Sequence, residues 1–413
     1  MSVASIRRVF NLRVIEMMTP GIYRLSRRSW IRRRNLFTIV FSVCGMLAAQ
    51  TFAQTLLEKQ AEPALAGQDR FKNEGPFKDV EAVNTVLHDP QRDKDLNVVV
   101  CFPKQPGGLY PVIVFSHGAG GSGRLVTALP KFWASHGYVV LCPTHADSIS
   151  LSKERKEGEA GKPKGAGLRG LFGVPLNDPK TWTDRARDVS FLLDSLDDLG
   201  RKVPGLSGKM DPARIGVGGH SLGAYTAQLI GGATVNVPGE AKPRSLADDR
   251  PRAILLLSGQ GTGQLGLTEH SWDHLARPLL SMTGTEDKGA KGQGHEWRGE
   301  PFQHAPPGDK YHIVIKGAHH GSFTGKFAGE GGAANGPGTG KRLTEAQKAL
   351  LRKRFADRGP NQRADQKAIF GYVKTATLAF WDAYLKREPD AKAFLNSDAL
   401  QLESHGAVTL SRK

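Results

Sequence analysis

Three short stretches of the 413-residue chain hold side chains that would transfer an acyl group if brought together. In "RIGVGGHSLGAYTAQLIGG", residues 214–232, Ser221 stands between Gly219 and Gly223, after an apolar run and before small residues at helical spacing. A serine hydroxyl is a weak nucleophile at neutral pH and needs a base in hydrogen-bond reach and an acid to orient that base. "PLLSMTGTEDKG" offers Glu286 and Asp287, and "YHIVIKGAHHGSF" offers His319 and His320. The serine, acid and histidine follow one another in that order, Asp287 lying 66 residues after Ser221 and His320 33 after Asp287. A G-x-S-x-G pattern alone says little in a chain with 49 glycines, so its context must carry the inference.

That context is a set of elements able to present all three groups at one edge. Short apolar runs recur at 96–103, 111–118, 138–144, 214–219, 253–259, 278–284 and 311–317. Continuous runs of this kind are strands buried on both faces, as in a mainly parallel sheet. Amphipathic helical patterns lie between them, the clearest at 181–199, with Val189, Leu192, Leu193 and Leu196 on one face. A last helix is expected over 365–386, where Ile369, Tyr372, Val373, Ala376, Phe380 and Tyr384 form a core-facing stripe. Strands alternating with helices define an α/β protein. Three insertions, 148–180, 285–310 and 324–364, follow strand ends on the side where open α/β sheets carry their sites, and are candidate pocket walls.

In this frame Ser221 sits on a strand–turn–helix bend. Gly219 and Gly223 permit the tight turn, and a helix starting at Leu222 would aim its N-terminal dipole at a developing oxyanion. On "DPARIGVGGHSLGA", "GTED" and "GAHHGSF", residues 83–386 resemble the α/β-hydrolase superfamily, in the branch of dienelactone hydrolases, platelet-activating-factor acetylhydrolase and bacterial polyester hydrolases. The resemblance implies an α/β-hydrolase fold, with a mostly parallel central sheet flanked by helices and with loop insertions over its C-terminal edge. It implies Asp287, in the G-x-x-D turn, as the acid in preference to Glu286, and His320, fourth in G-A-x-H, as the base in preference to His319. It further implies that "FSHGAGGSG" supplies one oxyanion amide from Ala119 and that Leu222 supplies the other. The expected activity is hydrolysis of a carboxylic ester through an acyl-enzyme on Ser221, without a cofactor, on a small-molecule or lipid-like substrate. Hydrolysis of a phospholipid or other acyl bond, and a catalytically silent scaffold used for binding, are the alternatives.

The remaining chemistry-bearing residues have plainer readings. His117 and His220 belong to motif turns, and His145, His270, His274, His295 and His304 are scattered through loops without the spacing of a metal site. Trp272, Trp297 and Phe302 either line an acyl pocket or pack. Cys101 and Cys142 are either a disulfide or two buried thiols.

A net charge of +17 would point to nucleic acid, but residues 1–53 hold nine Arg against one acid, and basic loops elsewhere lack the interleaved aromatics that stack on bases. No nucleic-acid partner is expected. The apolar run 36–49 has the length of a signal-peptide core and is short for a membrane span. Residues 26–32, "SRRSWIR", match a twin-arginine export signal. An ordinary secretory signal starting at Met17 or Met18 is the alternative. The expected organisation is therefore an export signal at 1–53, a linker at 54–82, a catalytic domain at 83–390 and a tail at 391–413. The mature protein is expected in the periplasm or outside the cell, without stable membrane insertion. The oligomeric state is left open.

Overall fold

All seven apolar runs are strands of one sheet. The computed structural model describes residues 69–105, 108–125, 128–151, 178–325 and 360–413. The expected export signal at 1–53, the expected linker up to 68, and most of the insertions 148–180 and 324–364 lie outside the described residues. Nine strands run in the order β1(Val80–Asp89), β2(Lys94–Pro103), β4(Val139–Thr144), β3(Tyr110–Ser116), β5(Met210–His220), β8(Pro251–Leu257), β9(Leu279–Glu286), β10(Lys310–His319) and β11(Val408–Arg412). The six strands from β4 to β10 in that order pair in parallel, while β1, β2 and β11 join antiparallel at the two sides. A separate two-stranded ribbon, β6(Thr234–Val235) and β7(Arg244–Ser245), stands apart from the sheet.

The parallel strands lie between two apolar layers. In β3, Val112 and Val114 enter one layer and Ile113 and Phe115 the other, as the two-residue strand period demands. On the first face Val112 and Val114 share a core with Trp182, Val189 and Leu192 of helix α2(Pro179–Asp194) and Tyr225 and Leu229 of helix α3(Leu222–Gly231). On the second, Ile113 and Phe115 share a core with Trp133 of α1(Ala128–Ser135) and with Phe370, Val373 and Phe380 of a later helix, Pro360–Trp381. Each fully buried Val, Ile or Leu contributes about 1.5–3 kcal/mol, so the central strands anchor the fold.

The helix expected over 181–199 divides at Ser195, but Val189, Leu192, Leu193 and Leu196 are all buried. Two edge elements were not apparent in the sequence. β1 is half-exposed, and β11 lies within 391–413, where it closes the sheet against β10 instead of trailing from it. Cys101 and Cys142 sit on adjacent strands β2 and β4 as free, buried thiols, which resolves the alternative left open above against a disulfide. Burial pushes the Cys101 thiol up to about 12, so it stays protonated and unreactive.

Candidate active site

Ser221 occupies a strained corner between β5 and α3. Its φ of 57° and ψ of −120° lie outside the regions ordinary residues favour, at a cost of about 1–3 kcal/mol. The corner is held from both sides: Ser221 N–H donates to the Leu257 carbonyl at 2.9 Å, and Tyr225 N–H donates to the Ser221 carbonyl at 3.0 Å. The two flanking glycines are required by close approach. A Cβ on Gly223 would overlap the Ser116 carbonyl at the end of β3, and one on Gly219 would overlap the Gly223 carbonyl.

Asp287 and His320 arrive from the ends of β9 and β10, the second and third parallel strands beyond β5. His320, one residue past β10, has Nε2 3.0 Å from Ser221 Oγ and Nδ1 3.0 Å from Asp287 Oδ1. A carboxylate only accepts, so Nδ1 carries the proton and Nε2 is free to accept from the serine. Asp287, one residue past β9, is fully buried, and its Oδ2 accepts from Ser258 Oγ and, at 3.1 Å, from Thr283 Oγ1. Burial opposes its ionisation, but the His320 hydrogen bond and the nearby Arg298 charge outweigh it and hold the carboxyl below its usual range. Glu286 is exposed, and His319 Nδ1 accepts from Gly321 N–H at 3.1 Å. Of the two carboxylates and two histidines, the structure thus brings Asp287 and His320 to Ser221.

Arg298 has no counterpart in the sequence reading. It lies on α4(His295–His304), within the insertion 285–310, and is 3 % exposed. Its Nε is 2.9 Å from Asp287 Oδ1, and its guanidinium donates to the carbonyls of Ser258, Gly259, Asp287 and Lys288 at 2.8–3.0 Å. One buried cation therefore compensates the carboxylate and pins both loops that carry it. Nothing in "HEWRGEPFQH" marks this arginine, because the pairing exists only once β8, β9 and α4 have assembled.

A second serine, histidine and aspartate show almost the same geometry. Ser116 Oγ lies 2.8 Å from His145 Nε2, and His145 Nδ1 lies 2.9 Å from Asp188 Oδ2. Burial separates the two chains: Ser116, His145 and Asp188 are each 0 % exposed, whereas Ser221 is half-buried and the His320 side chain is 41 % exposed. Of the two serines, Ser221 is the one open to solvent among the described residues. His145, placed among loop histidines from the sequence, is thus a core residue, held by Asp188, which also pairs with Arg92 and Lys94.

The loop after β3 completes the corner. Gly118 packs against Ser221, since a Cβ there would stand 3.3 Å from Ser221 Cβ, and Ala119 follows it, half-buried. The Leu222 N–H belongs to the first turn of α3, where no intrahelical acceptor is available. The aromatics considered as pocket walls are packing residues. Trp272 is fully buried with Nε1 donating to Gln228 Oε1, Trp297 donates to the Thr262 carbonyl, and Phe302 stacks on His312. Among the described residues no cluster of three or more His, Cys, Asp or Glu is placed to hold a metal ion.

His117, His145 and His220 are buried, and their burial makes the protein acid-sensitive. Burial lowers all three below the usual imidazole value, His220 to about 3, its proximity to His320 adding to the effect. Unfolded, each takes a proton near pH 6.5, while folded it does not. The unfolded state therefore binds more protons below about pH 6.5, and stability falls as pH drops from there, by up to about 1.4 kcal/mol per pH unit per histidine. The urea-unfolding midpoint should fall clearly between pH 7 and pH 5. A midpoint unchanged at pH 5 would contradict it.

A mostly parallel sheet with a serine at the strand–helix corner of β5, and the acid and histidine at the ends of β9 and β10, is an α/β-hydrolase fold. Comparison with known proteins agrees. The family model of platelet-activating factor acetylhydrolase, isoform II, matches residues 81–164, which include β2 to β4, all but the first residue of β1, and the loop at 117–121. A ferulic acid esterase from Streptomyces cinnamoneus superposes with a TM-score of 0.51 at 19% identity, over 83% of this chain and 99% of that one. At that identity the likeness speaks for the fold.

Proposed function

We propose that the protein is a serine hydrolase that cleaves carboxylic esters. The observation that carries this is the unbroken relay from Ser221 Oγ through His320 to Asp287, with both links at 3.0 Å, Ser221 and His320 reaching solvent and Asp287 buried. His320 Nε2 takes the Ser221 proton as Oγ attacks the ester carbonyl, and Asp287 holds the imidazole in the required tautomer and balances its charge. The carbonyl oxygen, now negative, is received by the N–H groups of Ala119 and Leu222. His320 then protonates the departing alcohol, and water, deprotonated by the same imidazole, releases the acid.

The match to an acetylhydrolase family favours a short acyl group, including one carried on a phospholipid. An ester panel of graded acyl length, with an acetylated lysophospholipid among the substrates, tests both statements on purified protein. Turnover peaking at acetyl to butyryl is expected. No turnover of any ester, with no labelling by a fluorophosphonate, would leave a binding scaffold.

Export belongs to the same proposal, with the protein acting outside the cytoplasm. Arg27 and Arg28 stand in a pattern that a receptor reads, so replacing both with Lys keeps the charge and removes the signal. The double variant should accumulate uncleaved in the cytoplasm. Normal cleavage and export would assign the segment to the general secretory route.

A further inference from the structure

We propose that the buried Arg185–Asp147 pair is a positioning device that aims the Ala119 N–H at the oxygen of the reacting carbonyl; this rests on the reading of Ala119 and Leu222 as oxyanion donors. Arg185, on α2, is 1 % exposed and binds Asp147 through two prongs, Nε to Oδ1 at 2.9 Å and Nη2 to Oδ2 at 2.7 Å. The same guanidinium reaches the loop after β3. Nη1 donates to the His117 carbonyl at 2.7 Å and Nη2 to the Gly118 carbonyl at 3.3 Å. From the other side, Asp147 Oδ2 accepts the Gly120 N–H at 3.1 Å. The ion pair therefore grips the backbone at 117, 118 and 120, on both sides of Ala119.

Peptide geometry turns that grip into an aim. The Gly118 carbonyl and the Ala119 N–H belong to one planar trans peptide and point in opposite directions, so fixing the first fixes the second. Three donors converge on the Gly118 oxygen: Arg185 Nη2, the Gly121 N–H at 3.1 Å, and His117 Nδ1 at 2.6 Å. His117 is a donor at Nδ1 because its Nε2 accepts the His145 N–H at 3.0 Å, which sets the neutral tautomer. Gly118 also lies against Ser221, so the amide that follows it is beside the nucleophile.

Stability alone does not account for such a pair. A buried ion pair is often no better for folding than apolar side chains of the same volume. What it adds here is order in an irregular loop containing Gly118, Gly120 and Gly121, where no strand ladder holds the backbone. Oxyanion donors act through preorganisation, and a donor displaced by a fraction of an ångström loses most of its effect on the transition state while substrate binding is little changed.

The test uses the full chain and two variants. Arg185→Lys keeps the charge balance with Asp147 but has no fork to span the partner and two carbonyls. The double variant Arg185→Met/Asp147→Leu leaves no charge unpaired, so it stays informative if the first fails to fold. Kinetics on p-nitrophenyl acetate and affinity for phenylboronic acid, whose tetrahedral serine adduct presents an oxygen to the oxyanion donors, are measured with thermal melting on each protein. Expected is a fall in kcat of roughly 10- to 100-fold with KM within about threefold, and a parallel fall in boronate affinity. Folded variants with wild-type kcat, or with reduced kcat and unchanged boronate affinity, would overturn the positioning role alone. A wild-type protein that neither turns over the ester nor binds the boronate overturns the hydrolase reading and this inference with it.

Discussion

Ser221→Ala should lower turnover of an activated short-chain ester by roughly 10⁵-fold or more and remove labelling by a fluorophosphonate, while the fold persists. The expectation follows from what Ser221 Oγ does. Among the described residues its one side-chain bond is the 3.0 Å link to His320 Nε2, while the strained corner is held by backbone bonds to Leu257 and Tyr225 that an alanine keeps. Thermal melting close to wild type with loss of activity would separate the nucleophile from any structural role. Labelling retained at another serine with full activity would remove Ser221 from the mechanism. The rival chain through Ser116 makes this a sharp comparison. Ser116→Ala deletes a buried hydrogen bond to His145 and should cost stability, on the order of 1 kcal/mol, before it costs labelling.

The second large effect separates neighbouring residues. His320→Ala should lose at least about a thousandfold in kcat and His319→Ala less than about tenfold, because one imidazole bridges Ser221 and Asp287 while the other accepts from Gly321 N–H. Asp287→Asn should cost roughly 10⁴-fold, since an amide no longer selects the tautomer with its proton on Nδ1. Glu286→Gln, at an exposed strand end, should be near neutral. Asp287→Asn carries a second consequence that Glu286→Gln lacks: it leaves the Arg298 guanidinium buried beside a neutral group. A loss of about 3–5 kcal/mol in stability is expected with the loss of rate, and activity must be scored per folded molecule. A reversal between His319 and His320 would put the base one residue earlier.

The strands show why part of this protein was readable from its sequence. β3, β4, β8 and β9 are buried on both faces, and a strand buried on both faces must be written almost wholly in apolar residues. Such runs need no knowledge of their neighbours to be seen. β1 and β11 lie at the rims, where one face meets water or a helix, and their residues carry no comparable signal; β11 is a strand because β10 lies beside it. The serine corner was legible for a similar local reason. A glycine two residues to each side of Ser221 records a turn so tight that neither position has room for a Cβ.

The sequence by itself thus determined the α/β alternation, the bend at Ser221, and the acid and histidine turns that follow in order, because each is written in contiguous residues. Tertiary structure decided which of two linked Ser–His–Asp chains is open to solvent, that Cys101 and Cys142 stay apart, and that Arg298 and Arg185 meet Asp287 and the loop after β3. These outcomes depend on burial and on contacts between residues far apart in the chain, such as Arg185 with His117 and Asp147, or Ser221 with His320. An arginine's long side chain pairs equally well on a surface or in a core, so its letter carries no record of the carboxylate and carbonyls it will meet. Only the closing of the sheet brings those groups within reach.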